Sequence, residues 1–99
     1  MDAATGRTHE GETAVTVHYW AAARAAAGVA SEDFPVDGPV TLADLVRRVV
    51  AAHPGSDVER VVGVCSVLVG EQPVGSRDPG AVLVQPGDVV ELLPPFAGG

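Results

Sequence analysis

Asp88-Val89-Val90-Glu91-Leu92-Leu93-Pro94-Pro95-Phe96-Ala97-Gly98-Gly99 reads as a strand, a stop and a tail in one run. Pro86-Gly87 suits the centre of a type II turn and feeds the chain into the hydrophobic segment. Two prolines then end it, because proline lacks the N–H that a ladder needs and holds φ near an extended value. Beyond them Phe96 is the last bulky group before Ala97, Gly98 and Gly99. Glycine packs nothing and costs entropy, so an end in Gly-Gly needs a reason. One reason is that the terminal α-carboxylate is itself the reactive group. A tail without side chains can thread a narrow enzyme tunnel and present that carboxylate unhindered. Last residues most often simply fray, but a double proline directly behind a strand argues against that here. Gly99 is therefore the candidate reactive residue, with Gly98 beside it. Leu93, Pro94, Pro95, Phe96 and Ala97 are the candidate partner-binding residues.

Upstream, Ala14 to Trp20 alternates Val15, Val17 and Tyr19 with Thr16, His18 and Trp20, the period of a strand. Trp20 is expected to pack in the core or at its rim. His18 is expected on a strand face, with no carboxylate or nucleophile spaced around it. Ala21 to Ala27 has the best helix-forming composition available, and Gly28 stands where a left-handed cap belongs. Glu32 to Val36 reads as a short edge strand because of Pro35. Thr41 is an N-cap candidate for the clearest helix, in which Leu42, Leu45, Val46, Val49 and Val50 form one apolar stripe. That stripe must cover a sheet. His53 looks like a last-turn residue interacting with the helix dipole.

Ser56-Asp57-Val58-Glu59 suggests a capping box with a helical turn from Asp57. Val64 to Val69 reads as a buried strand in which Cys65 is a small core residue, with no His or Lys near it to activate the thiol. Gln72 to Val74 and Ala81 to Val84 are short extended pieces around the turn Arg77-Asp78-Pro79-Gly80. There is no metal-spaced Cys/His cluster, phosphate loop or Ser/His/Asp arrangement, so the chain shows no catalytic apparatus of its own. One useful helix across a mixed sheet is an α+β arrangement.

The composition narrows the partners. Thirteen acids face 6 arginines and no lysine, a net charge of −7, which speaks against nucleic acid or an anionic membrane and suits a basic protein partner. The single cysteine excludes an internal disulfide and fits a reducing compartment. With no apolar leader and no membrane-length run, a cytoplasmic protein is expected. Residues 1–13 are polar and aperiodic and read as a disordered tail, 14–93 as one domain, and 94–99 as an extended reactive tail.

Ala23-Arg24-Ala25-Ala26-Ala27-Gly28, Thr41-Leu42-Ala43-Asp44-Leu45 and, most specifically, Pro86 to Gly99 resemble the MoaD/ThiS sulfur-carrier family, on the side of the molybdopterin synthase small subunits. The resemblance covers Ala14 to Gly99. It implies a β-grasp (ubiquitin-like) fold with the first and last strands adjacent and parallel at the sheet centre. It also implies a carrier that is non-catalytic alone and is the sulfur-donating subunit of its complex. An E1-like adenylyltransferase would join Gly99 to AMP from ATP, a sulfur donor protein would convert the adenylate to a thiocarboxylate, and the large subunit of molybdopterin synthase would take the tail, in a heterotetramer. There the sulfur would pass to cyclic pyranopterin monophosphate for molybdenum cofactor biosynthesis. No cofactor or metal would be held stably, and ATP/AMP only transiently on the activating enzyme. The alternatives are a carrier for thiamine or cysteine synthesis, a ubiquitin-like protein modifier joined to lysines through Gly99, and a binding module with a frayed end. Pro-Pro-Phe-Ala before Gly-Gly favours the synthase subunit.

Overall fold

Alternation along Ala14–Tyr19 makes the first strand, β1, which buries Val15, Val17 and Tyr19 and leaves the residues between them half-exposed. The computed structural model describes residues 13–95. The expected front tail falls outside that range except for Thr13. After β1 comes the alanine helix α1 (Ala21–Ala27), closed by Gly28 at φ 80°, whose N–H donates to the Arg24 carbonyl. A side chain at that φ would be strained, so the glycine is the residue the cap requires. Strand β2 (Ser31–Pro35) runs antiparallel to β1 at the sheet edge and buries Phe34, one residue earlier than expected.

Strand β3 (Val40–Thr41) leads into α2 (Leu42–Ala52). The Thr41 hydroxyl accepts the Asp44 N–H at 3.1 Å, so the cap is made as expected. Leu42, Leu45 and Val49 of the stripe are buried against the sheet, while Val46 and Val50 lie half-buried beside the core. A shorter helix, α3 (Val58–Val62), follows. The expected capping box is not formed. Ser56 Oγ accepts the Val58 N–H at 3.2 Å and donates to the His53 carbonyl at 2.6 Å, while Asp57 pairs with Arg60 instead of capping.

Strand β4 begins only at Ser66 (Ser66–Val69). Val64 and Cys65 still donate their N–H groups to Val61 and Val62, turn bonds that keep them out of the ladder. β5 (Gln72–Pro73) pairs with β4, and a 3₁₀ turn at Pro79–Ala81, capped by the Asp78 carboxylate, precedes β6 (Leu83–Val84), which pairs with β3. Gly87, at φ 92°, closes a turn in which the Asp88 N–H reaches the Gln85 carbonyl at 3.0 Å, and β7 (Val89–Leu93) ends the fold. The five-stranded sheet has the order β2-β1-β7-β4-β5, with β1 and β7 parallel and the other neighbours antiparallel. This is the β-grasp arrangement. The strand nearest the chain's end lies at the sheet's middle.

Candidate functional site at the root of the C-terminal tail

β7 is hydrogen-bonded on both sides, to β1 with Thr16 to Tyr19 beside Val89 to Leu92, and to β4 with Leu93 opposite Ser66. Val90 and Leu92 point into the core. Val89, Glu91 and Leu93 face the other way, onto the side of the sheet that carries Thr16 and His18. The ladder stops at Leu93, Pro94 is half-buried, and Pro95 is exposed. A chain leaving the middle of a sheet between two flanking strands is firmly anchored up to that point. Phe96, Ala97, Gly98 and Gly99 lie outside the described residues, so what the structure defines is the root of the tail.

Three side chains that the sequence did not connect meet at this root. Trp20 follows β1 as the N-cap of α1 and donates its main-chain N–H to the Leu92 carbonyl at 3.2 Å. Its indole Nε1–H donates to Glu91 Oε1 at 2.7 Å. His18 Nδ1 lies 3.7 Å from the same oxygen. The expectation that Trp20 packs in the core or at its rim is corrected. Its parity along β1 puts it with Thr16 and His18, and it is 49% exposed. His18, expected to lack a carboxylate neighbour, has one because parallel pairing sets it opposite Glu91. Only the strand register could have revealed that partner.

His53 stands at the C-terminal cap of α2, the end expected for it, and makes further contacts that the sequence did not show. Its Nε2–H donates to Glu32 Oε1 at 2.7 Å, and its ring stands edge-on to Tyr19. Tyr19 donates its hydroxyl to the same carboxylate at 2.8 Å; burial first, and then that bond, push its pKa well above the ordinary 10.0. This cluster sits on the core side and ties β1, β2 and α2 together.

A groove of about 940 Å³ opens between α2 and β4–β5, lined by Val46, Val50, Val62, Val67 and Val74 and by Cys65. Cys65 is half-buried and lends its thiol to the Val61 carbonyl at 3.3 Å, and burial raises its pKa, the opposite of an activated nucleophile. Among the described residues no group of three or more His, Cys, Asp or Glu could hold a metal ion. None of their helices is long and apolar enough to cross a membrane.

Comparison with known proteins covers most of the chain. Residues 17–99 match the ThiS family. A molybdopterin synthase sulfur carrier subunit of Chlamydomonas reinhardtii is 32% identical over 85 residues, covering 86% of this chain and 98% of that protein. One from Aspergillus niger is 31% identical over 87 residues, covering 88% and 96%. Among solved structures, SAMP1 from Haloferax volcanii is 27% identical with a TM-score of 0.72, covering 87% of this chain and 99% of that one. A chain of the complex of subunits 1 and 2 of molybdopterin-converting factor from Helicobacter pylori 26695 is 22% identical with a TM-score of 0.60, covering 87% and 99%; that likeness is one of fold.

Proposed function

The chain belongs to the ThiS family, and on that premise we propose that it is the sulfur carrier subunit of a molybdopterin synthase, working in the cytoplasm. The observation that carries this reading is the placement of β7, which brings the chain to Pro94 and Pro95 from the middle of the sheet, with Phe96 to Gly99 next in the sequence. A carboxylate at neutral pH is a poor electrophile. An E1-like adenylyltransferase, using ATP, joins Gly99 to AMP and releases pyrophosphate, giving a mixed anhydride with a good leaving group. A persulfide sulfur of the donor protein displaces AMP, and a donor thiol then cleaves the resulting acyl disulfide. The products are a thiocarboxylate on Gly99 and a disulfide on the donor. The tail next enters the large synthase subunit, where the thiocarboxylate sulfur attacks cyclic pyranopterin monophosphate and displaces an oxygen. Water then cleaves the resulting thioester, leaving the sulfur on the pterin and returning Gly99 as a carboxylate. The basic groups that hold the pterin phosphate belong to that subunit, which suits a chain of net charge −7.

Deleting Gly99, or adding one residue after it, tests the reading. The reacting group must reach a fixed point, and an error near an ångström costs about a hundredfold in rate. Circular dichroism should be unchanged and sulfur transfer lost. Retained transfer would end the carrier reading. A protein modifier is the second reading, favoured by the likeness to SAMP1. It shares the adenylate but predicts isopeptide adducts on lysines of other proteins. With no lysine in its own sequence, the chain cannot build lysine-linked polymers of itself under either reading.

A further inference from the structure

Trp20 is the only tryptophan of the chain, and half of it faces solvent. A single exposed apolar side chain means little by itself. Two observations set this one apart. The indole is held in place by the bond from Nε1–H to the Glu91 carboxylate at 2.7 Å, a charge-assisted contact to the strand that carries the tail. It also stands beside that strand's last residues, since its main-chain N–H reaches Leu92. On the other flank of β7, Val64 is 60% exposed and lies two residues before Ser66, the partner of Leu93. Trp20 and Val64 therefore border the root of the tail on its β1 side and its β4 side.

We propose that Trp20 is a docking anchor for the large subunit of molybdopterin synthase, seated on the rim of the opening that receives the tail, and that Glu91 is the positioning residue that holds the indole for it. The proposal rests on the carrier reading above. Continuity with the tail identifies the occupant. A protein that takes in Phe96 to Gly99 must wall the chain where it leaves the sheet, and a wall around Pro94 and Pro95 meets Trp20 and Val64. Tryptophan is among the residues that most often dominate such contacts. Fixing the indole beforehand lowers the entropy lost on docking. The complementary surface is an apolar pocket bordered by a basic side chain, which would face Glu91 and the acidic charge of this chain.

The test uses the full chain carrying 5-fluorotryptophan, which gives one ¹⁹F resonance, titrated with the unlabelled large subunit from the same source. Calorimetry follows binding in parallel. The resonance should move on binding. Trp20→Ala should weaken the complex about tenfold or more with little change in melting temperature. Glu91→Gln keeps an acceptor for the indole N–H and should hold affinity near that of the parent. Glu91→Val keeps a strand-forming side chain without the acceptor, and should weaken binding severalfold while broadening the free ¹⁹F line. Binding with an unmoved resonance would overturn the anchor and leave the carrier reading standing. Equal affinities of the Gln and Val variants would overturn the positioning role. No binding by the parent chain would overturn both this proposal and the synthase reading.

Discussion

Glu32 shows how much one residue can tie together. Its Oε1 accepts from the Tyr19 hydroxyl and from His53 Nε2–H, so one carboxylate on the edge strand secures both β1 and the end of α2. Removing one donor by Tyr19→Phe should cost about 1 kcal/mol, the usual net worth of such a bond, read by chemical denaturation at neutral pH. The pH dependence follows from the raised Tyr19 pKa. Native Tyr19 keeps its proton where the unfolded chain loses it, near the ordinary 10.0. That stability is fully present below this pH and is lost as pH rises through the native value. The gap between parent and Tyr19→Phe should therefore shrink between about pH 9 and about pH 11; a constant gap would contradict this account. None of this cluster was legible beforehand. Glu32, Tyr19 and His53 lie far apart along the chain, and their meeting depends on the register of β1 with β2 and on where α2 ends.

At the scale of elements, periodicity carried most of the fold. The alternation of β1, the stripe of α2 with its Thr41 cap and the glycine after α1 all appear where local patterning put them. Local chemistry failed where a competing local bond won. Ser56 and Asp57 found other partners, and turn bonds held Val64 and Cys65 out of β4. The short pieces β5 and β6 are two residues each, too brief for a periodic signal. β7 matters most, because it is both the sheet's central strand and the mount of the tail. Leu92, only 1% exposed, is its deepest leucine. Leu92→Ala should cost about 2–5 kcal/mol, and a melting curve would show it. Phe96→Ala, beyond the described residues, should behave in the opposite way. It should leave melting nearly unchanged and weaken the complex with the large subunit by about 2 kcal/mol or more. A large loss of melting temperature with unchanged affinity would instead make Phe96 part of the core.

At the scale of the whole molecule, the proposed site rests on the sequence of the tail rather than on long-range structure. Pro94-Pro95 and Gly98-Gly99 carry the proposal of a reactive end by what they lack, N–H donors in the one pair and side chains in the other, and no long-range contact is needed to make it. The surface around the root was not readable, because Trp20, Glu91 and Val64 come together only through the parallel pairing of β1 with β7 and the pairing of β7 with β4. In the carrier reading proposed above, sulfur is loaded onto Gly99 by partner proteins. Intact mass spectrometry after incubation with ATP, an E1-like adenylyltransferase and a persulfide donor tests that claim most directly. The account predicts a gain equal to the exchange of one oxygen for one sulfur, located by fragmentation at Gly99 and absent when Gly99 is deleted. An unchanged mass beside abundant isopeptide adducts on lysines of other proteins would contradict it.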